Sequence, residues 1–313
     1  MLFSIIVPIF NEEETIALFY RAVRGDLFLK QHDVEIVFIN DGSSDASEDI
    51  VRSIAQEDSL VKLISLSRNF GKEPALFCGL EYSQGDVVIP MDVDLQDPVE
   101  LIQPMYEMWQ KGAKVVLAKR SCRKSDHVLK RLTARWFYKI HNLLSHSKIE
   151  DDVGDFRLLD RDVVNVIISL NEKNLFMKGL LSWPGFKTDV VEYVRPERHA
   201  GTTKFNGIQL FRLAIEGITN FSTAPLKLAS YIGFIVSILS GFYGLVIIAK
   251  TIFLGVDVKG YASLMTAMLF LGGIQLIAIG ILGEYVGRIY SEVKSRPRYV
   301  IESLLGCDEK KPD

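Results

Sequence analysis

The chain has 313 residues, a formal charge of −3 and 48% hydrophobic residues. That length suits one large domain, or one domain with an appendage, and the near-neutral balance excludes the strong basic excess of a general nucleic-acid binder. The three cysteines, Cys78, Cys122 and Cys307, are widely spaced and lack zinc-ligand spacing, so free thiols in a reducing compartment are expected.

The chain enters a folded pattern at once after Met1, with no basic segment ahead of an apolar stretch, so no cleavable signal peptide is expected. Short runs rich in Ile, Val, Leu and Phe recur at Ser4–Pro8, Glu35–Asn40, Lys62–Ser67, Asp86–Met91 and Lys114–Lys119. Such runs suit parallel strands buried on both faces. Helical patterns lie between them, at Glu13–Arg24, Ala46–Gln56 and Pro74–Ser83. A fourth helix should start after Asp97-Pro98, with Asp97 as N-cap, and stop at Gly112. Repeated β-α-β order predicts an α/β fold with a mainly parallel sheet covered by helices on both faces.

Two amphipathic stretches follow, Leu129–Leu144 and Phe205–Phe221. Each reads equally as a core-facing helix or as an interfacial helix with basic residues toward lipid headgroups. From Leu228 to Ala249 and from Ala262 to Gly283 the chain is almost uncharged. Each run is long enough to cross the hydrocarbon core of a bilayer, which takes roughly 20 apolar residues. Arg288, Lys294, Arg296 and Arg298 follow the second run, which places the C-terminal tail, and with it the N-terminal domain, on the cytoplasmic side. Gly283 and Gly287 have the spacing of a close helix contact. The expected organisation is a catalytic domain over 1–204, a juxtamembrane helix over 205–227, a two-helix membrane domain over 228–287 and a cytoplasmic tail over 288–313, disordered from Cys307 onward.

Ligands of open parallel sheets bind beyond the carboxyl ends of the strands. Pro8, Asn11 and Glu12 follow the first strand, Asn40-Asp41-Gly42-Ser43-Ser44 the second, Arg68, Asn69, Gly71 and Lys72 the third, and Asp92, Asp94, Gln96 and Asp97 the fourth. Helix capping accounts for Ser44 and Asp97, and it accounts poorly for Asp92 and Asp94. Carboxylates two apart on an extended segment point the same way and repel unless a cation lies between them. A hard divalent ion takes such oxygens together with substrate phosphates. Neither G-x-G-x-x-G nor G-x-x-x-x-G-K-[ST] occurs, which disfavours a nicotinamide enzyme and a P-loop NTPase.

The order Val7-Pro8-Ile9-Phe10-Asn11-Glu12, Asn40-Asp41-Gly42-Ser43-Ser44-Asp45 and Asp92-Val93-Asp94-Leu95-Gln96-Asp97-Pro98 resembles the inverting glycosyltransferases of family 2, with the GT-A fold. Arg68 to Leu76, Gly154-Asp155-Phe156-Arg157-Leu158 and Asn174 to Gly179 narrow the resemblance to polyprenyl-phosphate glycosyltransferases, nearest to bactoprenol glucosyltransferases and related to dolichyl-phosphate mannose synthases. The resemblance implies that Pro8, Glu12 and Asp41 contact the uridine of a UDP-sugar, with Asn11 and Lys72 also in the substrate site. It implies Mg2+ or Mn2+ at Asp94 and Gln96, with Asp92 close by. It matches Asp155 to the acidic residue proposed as base in relatives, and Arg198 and Lys204 to a phosphate-binding loop. Arg120, Arg131 and Arg135 are candidates for the acceptor phosphate, or equally for a solvated face attracted to anionic lipid.

The implied reaction is inverting transfer of a hexose, glucose first, from UDP-glucose to undecaprenyl phosphate at the bacterial inner membrane, for O-antigen or envelope glycan modification. Mannose or a modified arabinose are alternatives, as is a non-catalytic nucleotide-binding membrane subunit. The implied partners are membrane lipid, a separate flippase, a periplasmic glycosyltransferase and further copies of the chain, possible up to a tetramer. A processive synthase is disfavoured by the absence of Q-x-x-R-W and of further spans. A phosphate monoester, with its second pKa near 6, is largely a dianion at cytoplasmic pH. Asp155 is therefore expected to position a substrate more than to remove a proton.

Overall fold

The computed structural model describes residues 1–120, 153–170, 172, 177–193, 224–254 and 260–307. Five strands fall where the apolar runs are, with small shifts at their ends: β1 (Leu2–Ile9), β2 (Asp33–Asn40), β3 (Val61–Leu66), β4 (Val87–Pro90) and β5 (Val115–Arg120). Three more complete the sheet: β6 (Val153–Asp160), β7 (Thr188–Tyr193) and β8 (Ile301–Leu305). Their order is β7-β5-β6-β4-β1-β2-β3-β8. The block β4-β1-β2-β3 is parallel, and β5 pairs in parallel with β7. Strand β6 runs antiparallel to both β4 and β5, and β8 antiparallel to β3. The sheet is therefore mixed, with a parallel centre.

Side-chain alternation along the strands splits the core into two layers. Phe3, Ile5, Val7 and Ile9 of β1 face one layer with α1 (Ile16–Gly25), α2 (Ser47–Glu57) and α4 (Ile102–Gln110), whose buried anchors include Phe19, Val51 and Met105. Ile6 of β1 faces the other layer with α3 (Lys72–Tyr82), α5 (Arg161–Ile168) and α6 (Met177–Ser182). Burying each such Phe, Ile or Val stabilises by about 1.5–3 kcal/mol before entropy is counted. Helix α3 starts at Lys72 rather than Pro74, so Pro74 lies in the first turn, where its missing N–H costs nothing. Gly112 ends α4 as expected, at φ +95°.

Three expectations need correction. Asp97 does not cap α4. Its carboxylate is buried and accepts from the Tyr193 hydroxyl at 2.9 Å, and a 3-10 turn over Val99–Leu101 begins the helix instead. Ser44 does not cap α2. That helix start is served by Asp45, which accepts from the Ser47 N–H at 3.0 Å. The C-terminal segment is not a plain tail, because β8 returns to the sheet edge. Among the described residues a Cβ at Gly283 or Gly287 would meet nothing within 4 Å, which leaves both positions open on the surface of the helix. The stretches 129–144 and 205–221 lie outside the described residues.

Two long helices, α7 (Ala224–Leu254) and α8 (Tyr261–Val293), stand apart from the sheet. They hold two segments long and apolar enough to cross a membrane, Ala229–Val246 and Phe270–Val293. They expose large apolar groups such as Phe234, Phe253 and Leu276. After α8 the chain docks back on the sheet domain. Arg298 donates to the Leu170 carbonyl and, at 2.9 Å, to that of Glu172, and its guanidinium lies 4.0 Å over the Phe77 ring. Tyr299 bonds Glu81, and Arg52 reaches Ser303 at 3.0 Å.

At the opposite edge from the βα loops, Glu35 is 1% exposed. It accepts from Lys62 Nζ at 2.6 Å, from the Gln84 N–H at 2.6 Å and from Ser4. Breaking a buried pair strands the remaining charge. Glu35→Ala is expected to destabilise by roughly 3 kcal/mol, read as a lower thermal midpoint of the purified chain; an unchanged midpoint would show that the network contributes nothing net.

Candidate active site

The carboxyl ends of β1 to β4 open at one edge because those strands are parallel. The loops there are stitched to one another. Asn11, at φ 56°, donates its N–H to Ser43 Oγ at 3.0 Å and accepts from the Ser44 N–H at 2.8 Å. The Glu12 N–H donates to Ser47 Oγ at 2.8 Å, and that of Glu13 to Asp45 at 3.3 Å. These bonds fix the loop after β1 against the loop after β2. Asp41 is 3% exposed and accepts from the N–H groups of Phe70 and Gly71 at 2.7 and 2.9 Å. Burial pushes its carboxyl above the usual range, and those two N–H groups and Arg68 oppose the shift. Gly42 sits at φ +69°, and a Cβ there would lie 2.6 Å from the Arg68 carbonyl carbon. Thus the loop after β2 is locked to the loop after β3.

Lys72 ties the third loop to the fourth and to β6. Its ammonium lies 2.6 Å from Asp92 Oδ1 and 2.8 Å from Asp155 Oδ2. Burial alone would lower its pKa; the charges of Asp92 and Asp155 outweigh that, so the net direction is upward and the ammonium stays protonated. Asp155 comes from the start of β6. Because β6 is antiparallel to β4, its start lies at the same edge as the end of β4. The arginines near Asp155 in sequence serve the backbone: Arg157 donates to the Gly154 carbonyl at 2.8 Å, and Arg161 to that of Gly85 at 2.7 Å. Full burial holds Arg157 down to about 10, against the pull of Asp155.

Asp94 accepts from the Gln96 N–H at 3.1 Å, across Leu95 at φ 56°. A bulky residue in that left-handed region is strained, and such strain persists only where the surroundings impose it. Glu12 faces this corner. Burial raises its pKa first, Thr15 opposes, and the fields of Asp94, Asp92 and Asp45 raise it further. Four carboxylates thus share one field, a charge state that a cation would relieve.

Of the candidate residues, Lys72, Asp92 and Asp155 come into contact, and Glu12 joins Asp92 and Asp94 electrostatically. Asn11 and Asp41 hold the loops together, and Pro8 lies at the end of β1 beside Ile39. Gln96 is 4% exposed. Arg120 ends β5 in register with Tyr193. Arg131, Arg135, Arg198 and Lys204 lie outside the described residues, as do His127, His141 and His199. Ser43, Asp45 and Ser47 form a supporting layer that sequence reasoning missed; their hydroxyl and carboxylate types at a βα turn were the available signal.

A divalent cation fits the donor set. Asp92 and Asp94 offer hard oxygens two residues apart, and Mg2+ commonly takes one or two carboxylates plus phosphate oxygens. Among the described residues no three His, Cys, Asp or Glu groups converge to enclose an ion. The two carboxylates match an ion shared with a substrate better than an all-protein cage.

The mixed α/β sheet presents an acidic, lysine-bridged edge, and similarity to known proteins gives the class as glycosyltransferases. The model for glycosyl transferase family 2 matches residues 4–168, and that for a GtrB C-terminal hairpin matches 224–289. The chain is 60% identical over 303 residues to a bactoprenol glucosyl transferase of Shigella phage SfX, covering 97% of this chain and 99% of that one. It is 59% identical over 304 residues to a prophage bactoprenol glucosyl transferase homolog of Escherichia coli K12, with 97% and 99% covered. A glucosyl-3-phosphoglycerate synthase of Mycobacterium tuberculosis, solved with Mn2+, UDP-glucose and phosphoglyceric acid, has a TM-score of 0.46 at 20% identity, over 70% of this chain and 77% of that one. The chain belongs to glycosyl transferase family 2.

Gly42→Ala combines a disfavoured backbone with a backbone clash. It is expected to cost on the order of 2 kcal/mol or more, read by calorimetry as a lower thermal midpoint. Retention of full stability would show that the two loops can separate without harm.

Proposed function

We propose that this chain transfers glucose from UDP-glucose to undecaprenyl phosphate with inversion at the anomeric carbon. The observation that carries the reading is full-length identity of 59–60% to bactoprenol glucosyl transferases, on a chain that keeps Asp92, Asp94 and Gln96 at the end of β4. Asp41 and Glu12 serve the uridine side of the donor. Asp94, Gln96 and Asp92 would hold Mg2+ or Mn2+, and the bound ion would supply positive charge toward a departing diphosphate. The stitched loops fix these groups before the donor arrives, so little reorganisation is needed at the moment of reaction.

The acceptor is a membrane lipid, and α7 and α8 support a two-span anchor. They contain 31 and 33 residues, hence about 46 and 50 Å of helix, more than the roughly 30 Å hydrocarbon core. Strand β8 pairs with β3 after both helices. That pairing supports a topology in which both segments flanking the hairpin lie on one side of the membrane, and the basic residues after α8 support the cytoplasmic side. Two spans are few for moving the glycolipid across, so a separate flippase and a periplasmic transferase complete the sequence. Arg120, Arg131, Arg198 and Lys204 are the candidate ligands of the acceptor phosphate. Further copies of the chain are expected to associate through the exposed apolar hairpin faces.

Purified chain supplied with labelled UDP-glucose and undecaprenyl phosphate is expected to form glucolipid with Mg2+ or Mn2+ and to stop with EDTA. Asp94→Asn should lower the rate by roughly 100-fold or more without unfolding the protein. Absence of product from any nucleotide sugar, with folded protein and lipid present, would sink the reading.

Topology has its own test. A cysteine at Lys259 should react with an impermeant maleimide from outside intact cells, and one at Glu302 only after permeabilisation. The reverse pattern would overturn the orientation.

A further inference from the structure

We propose that the Lys72 ammonium receives the phosphate of the polyprenyl acceptor, and that Asp155 is a positioning residue holding Lys72 for that task. The inference rests on the glycosyl-transfer reading above and deepens it.

Lys72 is the first residue of α3, preceded by Gly71 at φ +103°. Its ammonium joins Asp92, in the metal-and-diphosphate corner, to Asp155, at the start of β6. The Lys72 side chain is 43% exposed, so the bridge opens toward the site. An ammonium has three N–H donors. Two are directed at Asp92 and Asp155, and the third remains for an incoming anion. The first turn of α3 adds the positive end of its dipole beside that ammonium.

The chemistry requires a cation at this place. The acceptor phosphate is largely a dianion at neutral pH, so it carries no proton for a base to take. An anionic nucleophile beside the Asp155 carboxylate would be repelled without a cation between them. In the step, a phosphate oxygen forms a bond to the anomeric carbon while the bond from that carbon to the UDP oxygen breaks. The electron pair leaves on the diphosphate and no proton moves. The acceptor passes from dianion to singly charged diester, and the nucleotide leaves with one more negative charge. One unit of charge thus migrates from the acceptor toward the diphosphate. A single ammonium reaching both the Asp155 side and the Asp92 side stays beside that charge throughout. Arginine could not reproduce this point charge with its flat fork.

The test uses the full chain purified in detergent. A short-chain polyprenyl phosphate and UDP are each titrated calorimetrically into wild type, Lys72→Met and Lys72→Met/Asp155→Asn. The double variant removes Lys72 together with Asp155 and leaves only Asp92, whose side chain is 34% exposed to solvent, and UDP affinity reports an intact site. Loss of one charge-assisted contact predicts acceptor affinity weakened about 10- to 100-fold in both variants, with UDP affinity within about twofold and acceptor KM raised in parallel. Asp155→Asn alone should keep a flat rate between pH 7 and 9, with a higher acceptor KM, as befits positioning. Unchanged acceptor affinity in the Lys72 variants overturns the proposal, as does a loss confined to UDP, which would place Lys72 on the nucleotide diphosphate. Wild-type protein that binds the acceptor and forms no glucolipid would instead fail the underlying reading.

Discussion

The edge at which β1 to β4 end gathers more negative charge than it can hold unaided. Glu12, Asp45, Asp92, Asp94 and Asp155 all face it, and the expected substrates are anions too. Lys72 is the compensation built into the protein itself, bound to Asp92 and Asp155 at once. Its place is set by backbone. Gly71 at positive φ turns the chain into α3, and Asp41 grips the N–H groups of Phe70 and Gly71 just before that turn. Removing the grip would move the ammonium as well as the loop. The Asp41 loop and the charge bridge are therefore one mechanical unit.

Strain marks the same edge. Asn11 and Leu95 both occupy the left-handed region at φ 56°, and Gly42 approaches the Arg68 backbone more closely than any Cβ would allow. The restraint comes from ordered hydrogen bonds between loops and from the two-layered apolar core beneath them. A rigid support of this kind lets a few loops hold substrate groups in fixed directions.

The membrane hairpin is tied to the catalytic sheet at its far edge. Strand β8 extends the sheet beyond β3, and Arg298 and Tyr299 fasten onto the layer that contains α3. The helix that carries Lys72 at one end is thus held near its other end by the chain leaving the hairpin.

The sequence by itself determined the α/β class, five of the eight strands and the two apolar helices, because hydrophobic period and run length depend on local spacing alone. It also determined the identity of the site motifs, since parallel strands present their following loops at one edge whatever their order. Only the tertiary structure decided what those residues touch. Asp155 reaches the site because β6 reverses direction against β4, and no local pattern near Gly154 encodes that reversal. Asp97 looked like a cap and instead bonds Tyr193, 96 residues away. The tail after α8 looked like a charged end, yet its short apolar run finds a partner in β3. Long-range pairing depends on which surfaces meet, and spacing along the chain carries no record of that.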